Sequence, residues 1–386
     1  MTPNAPQSPT VAVIGAGLAG ASCAASLHRA GLRVVLFDKS AGVGGRMATR
    51  HARWVDSQGA GRVAAFDHGA PDFAAQHPRF RAALARAEAA GSVARWSPRV
   101  HAAWPPTAAA APRFVALPDM PALCRHVIGA VPLRLEHTVQ RLARTADGWR
   151  LTLAASAGNR PVDAVGDAPA RATPPGAASA GPFDHVMLAL PAAQAALLLA
   201  GHHDAWADTL AAADTAPCWT LMAVTDDVDW PWDAAEPDRG PLRWVGRADR
   251  KPGRAGLAGC ATWVAHALPE WSAAHLDDDP QAVAAALRDA LAALLPGGVA
   301  VRGHHAVAHR WRYAAPVAPL AGGADCWWEP RLSLGVCGDF FGPGPGSIEA
   351  AWRSGDELAD AVSAWLEAEQ VAVSAMAAPA PAGAWA

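Results

Sequence analysis

The chain has 386 residues and a formal net charge of −3, with 32 Lys and Arg against 35 Asp and Glu. The length exceeds one typical domain, and the nearly balanced charge offers no electrostatic argument for binding to nucleic acid or anionic lipid. The six cysteines form no CxxC pair, which argues against a disulfide framework or a zinc site. Residues 1–10 lack the features of an export signal, and no stretch of about 18 apolar residues follows, so we expect a cytoplasmic protein without a membrane span.

A β-α-β unit opens the chain. Residues 11–14 form a short apolar run that predicts a buried strand, residues 19–30 predict a helix, and residues 34–37 predict a second strand. Similar apolar runs return at 186–190 and 332–337. The pattern predicts an α/β fold with a doubly wound, Rossmann-like sheet that is assembled from separated pieces of the chain.

Tryptophan-rich segments with alternating apolar residues lie between these pieces. They predict an antiparallel sheet with helices, such as one at 280–295, which would form the substrate side. These segments are 96–117, 218–228, 242–265 and 306–316. The predicted dinucleotide-binding domain comprises 10–72, 128–200 and 325–370, and the predicted substrate domain comprises 73–127 and 201–324. The Ala-, Pro- and Gly-rich residues 154–182 are interpreted as a flexible insertion, and 371–386 as a disordered tail.

A glycine turn follows the first strand, and its sequence is Gly15-Ala16-Gly17-Leu18-Ala19-Gly20. Such a turn lets the backbone approach a pyrophosphate at the N-terminus of the next helix. Asp38 ends the second strand, where a carboxylate can bind the hydroxyls of an adenosine ribose, and Lys39 lies next to it. These features predict a dinucleotide site, although a turn that only packs would carry the same glycines.

A second glycine loop, Gly42-Val-Gly-Gly-Arg46-Met47, follows Asp38. Gly45 and Met47 flank Arg46, whose guanidinium can bind a pyrophosphate through two parallel hydrogen bonds. A simple NAD-binding fold has no use for this loop. The loop therefore favours FAD, and an ordinary surface turn is the alternative.

These motifs and several later ones resemble the FAD-dependent amine oxidase superfamily and, within it, the renalase-like flavoproteins of bacteria. The later motifs are Phe66-Asp-His-Gly-Ala70, Asp72-Phe73, His77-Pro-Arg-Phe80, Trp263-Val-Ala-His266, Pro269-Glu-Trp-Ser272, His309-Arg-Trp-Arg-Tyr313 and Cys337-Gly-Asp339. The resemblance implies a non-covalently bound FAD. It places Gly69 and Ala70 along the isoalloxazine and Val139, in a strand from Leu133, at the adenine. It also places Gly338 and Asp339 at the ribityl and phosphate portion, and a helix beginning near Ile348 at the flavin N1/C2 carbonyl.

The sequence departs from this family pattern at two points. Pro71 stands where the family often has glutamine, and Tyr313 is the single tyrosine, so the usual aromatic cage for an amine is weak. Members of the family often use a lysine to hold a water molecule at flavin N5. By this resemblance Lys251 would take that role, because the other lysine, Lys39, lies at the ribose. A solvated loop lysine is the alternative interpretation of Lys251. We expect Phe73, Trp263, His266, His309 and Trp311 on the substrate side, each with structural packing as the alternative.

A pair of histidines and a basic segment give no indication of a separate metal or binding site. Four residues apart on a predicted strand, His305 and His309 would lie about 13 Å apart, too far to chelate one metal ion. The segment Arg50-His-Ala-Arg53 is interpreted as a solvated turn or helix cap.

The favoured function is oxidation of an isomeric 2- or 6-dihydro-NAD(P), with a hydride passing to flavin N5 and electrons to oxygen to give hydrogen peroxide. Amine oxidation or desaturation of another small molecule, and a flavin- or NAD-binding module without turnover, remain open, as does the oligomeric state.

Overall fold

The computed structural model describes residues 8–56, 58–102, 112–154, 178–295, 303–342 and 346–377. Its strands are β1 (Thr10–Ile14), β2 (Arg33–Phe37), β3 (Arg50–Val55), β4 (Gly61–Phe66), β5 (Phe73–Ala74), β6 (Val93–Trp96), β7 (Val100–Ala102), β8 (Arg113–Ala116), β9 (Leu133–Arg134), β10 (Val139–Thr145), β11 (Gly148–Leu153), β12 (Ala178–Phe183), β13 (His185–Leu188), β14 (Thr215–Asp226), β15 (Ala234–Glu236), β16 (Leu242–Arg247), β17 (Cys260–Ala267), β18 (Gly303–Pro316), β19 (Trp327–Glu329) and β20 (Leu334–Val336). Its helices are α1 (Leu18–Arg29), α2 (Pro78–Ala89), α3 (Ala122–Ile128), α4 (Ala192–Leu199), α5 (Asp204–Ala211), α6 (Pro269–Ala274), α7 (Pro280–Leu294) and α8 (Ile348–Ala377).

A mainly parallel sheet with the order β19-β20-β13-β1-β2-β9 is buried on both faces. All its pairs are parallel except the edge pair β19–β20. Val11 and Val13 of β1 pack into the core that contains α1 and α8, whereas Ala12 and Ile14 pack into the core that contains β11 and α4. Alternate residues of a strand face opposite sides, so the continuous apolar runs follow from burial on both faces. The predicted doubly wound α/β fold is confirmed.

Helix α8, near the end of the chain, packs directly on α1. A Cβ at Gly355 would lie 2.0 Å from the carbonyl oxygen of Ala19, so the two helix backbones are in contact. Ser26 Oγ also donates to Asp356 at 2.8 Å. The C-terminal helix therefore completes the core beneath the glycine turn.

An antiparallel arrangement, with one parallel pair at its edge, forms the second large sheet, in the order β18-β14-β17-β16-β15-β7. One face packs on α7 through a core that includes Trp219, Trp263 and Leu287. The opposite face, which carries Met222 and Val264, joins the core of the parallel sheet. The predicted segments 218–228 and 306–316 fall on β14 and β18, while 242–265 contains β16 and most of β17, joined by residues 248–259, which begin with a 3-10 turn (Ala248–Arg250).

Four expectations about local structure were wrong. Residues 178–182 of the predicted insertion belong to β12, which pairs with β11, and residues 155–177 lie outside the described part of the chain. Residues 371–377 of the predicted tail continue α8, and 378–386 again lie outside the described part. Val139 begins β10 instead of ending a strand from Leu133, and residues 50–53 belong to β3. Strand pairing and helix propagation outweighed local composition in these segments.

The domain boundaries stay a prediction. Within the described ranges, no helix combines the length and the apolar character that a membrane crossing requires.

Replacing Gly355 with alanine should destabilise the fold. The added Cβ would clash with the backbone of α1, and overpacking costs about 1–3 kcal/mol, more than the roughly 1 kcal/mol that alanine adds in helix propensity. Gly61→Ala is the matched control, because no atom lies within 4 Å of its added Cβ. Chemical denaturation of both variants measures the difference, and equal stability would contradict close contact of α1 and α8.

Candidate cofactor and substrate site

The glycine turn lies between β1 and α1. Gly15 has φ +109°, and its N–H donates to the carbonyl of Phe37 at 2.8 Å. A Cβ at Gly20 would lie 1.8 Å from the Gly15 carbonyl oxygen, so α1 starts directly on the turn. No side chain caps α1, and a Cβ at Gly17 would have no atom within 4 Å. An uncapped helix N-terminus next to open backbone suits a phosphate group. The other turn residues, Ala16, Leu18 and Ala19, are buried.

Asp38 lies beside this turn. One of its carboxylate oxygens accepts from the N–H of Ala16 and the other from the N–H of Ser40, both at 2.7 Å. The N–H of His137 donates to the Asp38 carbonyl at 2.9 Å, which brings the segment that leads into Val139 next to the acid. The residues predicted to serve the adenosine end of a dinucleotide thus come together, while Lys39 is exposed.

The second glycine loop packs against the first. The N–H of Gly44 donates to the carbonyl of Ala16 at 2.9 Å, and a Cβ at Gly45 would lie 3.5 Å from the Cα of Gly17. Gly45 opens a 3-10 turn that ends at the buried Met47. The two loops therefore present adjacent backbone at one place.

Arg46 connects this loop to two distant segments. Its carbonyl accepts from the N–H of Ala70 at 2.8 Å, and a Cβ at Gly69 would lie 1.9 Å from the same oxygen. Its guanidinium donates to both carboxylate oxygens of Asp339, at 2.6 and 2.7 Å, and to the carbonyl of Ala314 at 3.1 Å. Arg46 thus contacts the predicted cofactor residues Gly69, Ala70 and Asp339.

The C-terminal part of the site is held by α8. The N–H of Gly338 donates to Ser354 Oγ at 3.0 Å. Helix α8 begins at Ile348, and Ser347 Oγ accepts from the N–H of Ala350 at 3.0 Å. A small cavity next to the Arg46–Asp339 pair is lined by Thr215, Tyr313, Pro316 and Phe340, among others.

Lys251 is buried, so the interpretation as a solvated loop lysine was wrong. Its Nζ donates to the carbonyl of Pro71 at 2.6 Å and to Asp67 at 3.2 Å. Arg254 donates to the same Asp67 oxygen at 2.8 and 3.1 Å. Burial acts to raise the pKa of Asp67, but the charges of Lys251 and Arg254 hold it below its usual value. Burial lowers the pKa of Lys251, although Asp67 opposes the shift.

His68 joins the residues predicted for the substrate side. Its ring stacks on Trp311 with centroids 5.0 Å apart and meets His309 edge-on at 4.7 Å. Trp311 Nε1 donates to the His68 carbonyl at 3.0 Å. Burial, together with His309 and Arg50, lowers the pKa of His68 to about 3, and burial likewise lowers the pKa of His266 to about 3. Both rings are therefore neutral near pH 7.

Two substrate-side predictions were wrong. Trp263 is fully buried on the face of β17 that packs on α7, where its Nε1 donates to Thr225 at 2.9 Å. Phe73 is buried in contact with Phe80 and Phe114. Because successive side chains alternate across a strand, His266 faces the side opposite to Trp263.

Sequence reasoning assigned no role to Asp67, His68 or Arg254. The first two directly precede Gly69, so their position was a usable signal. Arg254 lies in a loop without a motif, and only the fold brings it to Asp67. Within the described ranges, no three His, Cys, Asp or Glu side chains are grouped to hold a metal ion.

Residues 13–87 match the family described as an NAD(P)-binding Rossmann-like domain. The bifunctional protein MnmC of tRNA 5-methylaminomethyl-2-thiouridine biosynthesis from Magnetococcus marinus is 32% identical over 178 residues, a match that spans 37% of this chain and 27% of that protein. A provisional protoporphyrinogen oxidase from Exiguobacterium sp. 255-15 has a TM-score of 0.64 at 11% identity, with 92% of this chain and 99% of that chain covered.

Cyclohexylamine oxidase from Brevibacterium oxydans has a TM-score of 0.62 at 14% identity and covers 94% of this chain and 100% of its own. A putrescine oxidase variant with redesigned cofactor binding has a TM-score of 0.60 at 13% identity, with 92% of this chain and 99% of that chain covered. At such identities these likenesses establish the fold. The chain has the fold of these oxidases and contains a Rossmann-like NAD(P)-binding domain.

Because two histidines are buried and neutral, the free energy of unfolding should decrease as the pH falls. The unfolded chain takes up protons below a pKa of 6.5, whereas folded His68 and His266 do so only near 3. Their contribution to the free energy of unfolding is complete above pH 6.5. It is lost as the pH falls towards 3, by up to about 1.4 kcal/mol per pH unit for each histidine. Denaturation of His68→Gln between pH 7 and 5 should show a shallower slope than that of the exposed control His51→Gln. Equal slopes would contradict the neutral state of His68.

Proposed function

We propose that the chain is an FAD-dependent oxidoreductase. The observation that carries this proposal is that three segments contact the Arg46 loop, residues 44–47. They are the glycine turn, 69–70 and 338–339. A fold that binds only NAD needs the first of these segments. A second backbone loop suits the pyrophosphate of FAD, and Arg46, whose guanidinium bonds to Asp339 in this structure, would exchange that carboxylate for a phosphate group. The oxidase names of the solved neighbours support the same class of reaction.

The residues fit non-covalently bound FAD. Asp38 would bind the adenosine ribose, and the glycine turn with Arg46 would bind the pyrophosphate. Gly338 and Asp339 would bind the ribityl and phosphate portion, and residues 69–70 would lie along the isoalloxazine. When bound, FAD would supply a hydride acceptor at N5 and pass the electrons to oxygen.

The proposed donor is a 2- or 6-dihydro-NAD(P). It would lose one hydride and become NAD(P)+, while one oxygen molecule and one proton complete hydrogen peroxide. Loss of the hydride makes the nicotinamide ring aromatic, so the protein has to position the ring and needs little acid–base chemistry. The buried, neutral rings of His68 and His266 and the indole of Trp311 support this proposal, because they bring no charge to the side on which a planar ring would bind.

Amine oxidation is the second candidate, and the position of Lys251 favours it. Its Nζ lies 2.6 Å from the carbonyl of Pro71, next to the backbone that would line the flavin. An ammonium group has three donors, and two already bond to Pro71 and Asp67. The third could hold a water molecule at N5.

Arg46→Ala should weaken FAD binding. Loss of a charge-assisted hydrogen bond of about 1.5–3 kcal/mol corresponds to a roughly 10- to 150-fold higher dissociation constant for FAD. Arg46→Lys should be intermediate, because lysine cannot form the two parallel bonds. Arg53→Ala, at an exposed position on β3, is the control. Fluorescence of released flavin measures the affinity, and unchanged affinity in Arg46→Ala would count against the pyrophosphate role.

Anaerobic mixing with candidate donors tests the reaction. Purified protein should show oxidised-flavin absorbance that heat denaturation releases. We expect 2- or 6-dihydro-NAD(P) to bleach it rapidly and primary amines to leave it unchanged. Bleaching by amines alone would favour the second candidate. If the protein cannot be reconstituted with FAD, both candidate reactions are overturned. If no donor bleaches the bound flavin, the chain is a binding module without turnover.

A further inference from the structure

One row of side chains on β18 faces the β3–β4 hairpin. His305, His309 and Trp311 occupy alternate positions and therefore share a face of the strand. At one end of this row the indole of Trp54, on β3, stacks on His305 with centroids 4.8 Å apart. At the other end His68, which follows β4, contacts both His309 and Trp311. The hairpin and β18 thus enclose a strip of aromatic rings.

Arg50 lies on this strip. It precedes Trp54 by four residues on the same face of β3, and Ala52 between them is buried in the core. Four residues of strand span about 13 Å, the same distance that separates His305 from His309. Trp54 stacks on His305, and the charge of Arg50 acts on both His305 and His68, so Arg50 lies between the two ends of the strip. The pairing of Arg50 with Phe66, two residues before His68, agrees with this position.

The buried polar atoms around Arg50 lack the hydrogen-bond partners that such atoms normally have. Among the described residues Arg50 is exposed and forms no ion pair, unlike Arg46 and Arg254. Three nearby polar atoms are buried without a hydrogen-bond partner: Trp54 Nε1, His68 Nδ1 and His305 Nε2. Buried polar atoms are almost always satisfied, so this group indicates a ligand or ordered water.

The chemistry of the strip favours an extended anion. An arginine fork and an indole N–H are both donors, and a neutral imidazole can donate from one nitrogen. Arg50 also contributes to the lowered pKa of both His68 and His305, so the rings stay neutral and the guanidinium is the single charge among these four side chains. Phosphate oxygens accept several such bonds, and a length of about 13 Å suits a nucleotide better than a small amine. A substrate ammonium would be repelled by Arg50.

We propose that Arg50, Trp54, His68 and His305 form an anion-recognition subsite along the strip, in which Arg50 binds a phosphate group of the hydride donor. The inference rests on the proposed function and deepens it, since it names the residues that would recognise the phosphate of the donor. Arg50 then determines specificity and takes no part in hydride transfer.

The test compares Arg50→Gln with Arg53→Gln, which removes the same charge from the opposite face of β3. Flavin-loaded enzyme is mixed anaerobically with 2-dihydronicotinamide mononucleotide, which carries a phosphate, and with the corresponding riboside, which carries none. Arg50→Gln should lower the second-order rate constant of flavin reduction by the mononucleotide about 10- to 100-fold and leave the riboside within about twofold. Arg53→Gln should match the wild type with both donors. Equal losses with both donors, or no loss with the mononucleotide, would overturn the subsite.

A second measurement separates this inference from the proposed function. Titration calorimetry of the oxidised holoenzyme with inorganic pyrophosphate should show at least tenfold weaker binding in Arg50→Gln than in the wild type and Arg53→Gln. If neither donor reduces the wild-type flavin, the proposed function fails, and the pyrophosphate titration still decides the subsite. Equal pyrophosphate binding by all three proteins would overturn it.

Discussion

Contact between backbones without room for a side chain is the constraint on which the site depends. It occurs at Gly20 against the Gly15 carbonyl, at Gly69 against the Arg46 carbonyl and at Gly355 against the Ala19 carbonyl, where an added Cβ would lie within 2.0 Å of oxygen. The first contact places the start of α1 on the turn. The second brings the loop before β5 to the Arg46 turn, and the third lays the last helix across the first. Together they bring segments from both ends of the chain to one place.

The charged side chains near these contacts are grouped apart from the neutral histidine rings. The side chains of Lys251 and Arg254 are buried, and both bond to Asp67, so two cations share one carboxylate beneath the loop 69–71. Separating such a buried group from its partner typically costs several kcal/mol, so these bonds hold the segment 251–254 against residues 67–71. The facing rings of His68 and His266 are neutral. The proposed substrate side therefore combines uncharged aromatic rings with a buried group of two cations and one carboxylate below them.

This distribution bears on the two candidate reactions. Neutral aromatic rings, together with a guanidinium that forms no ion pair with the residues the structure describes, suit a planar ring that carries a phosphate, whereas a cationic amine would be repelled by Arg50. The buried lysine beside Pro71 is the feature that points the other way. Both reactions use the same cofactor segments, so the fold, shared with oxidases of different named substrates, does not select between them.

The sequence by itself determined the parallel sheet, the glycine turn, Asp38 and the Arg46 loop, because these depend on local spacing: short apolar runs, glycines where a turn needs them, and an acid at a strand end. It also placed His309 and Trp311 correctly on a strand of the second sheet. Only the tertiary structure decided that Trp263 and Phe73 are core, since the face of a strand that is buried depends on which helix covers it. The burial of Lys251 likewise depends on its contact with Asp67, which is distant in the sequence. Arg50 was interpreted as part of a turn or helix cap, and only the pairing of β3 with β4 places it on a strand. Short-range patterns report backbone geometry, whereas the partner of a charge or a ring is set by contacts between distant residues.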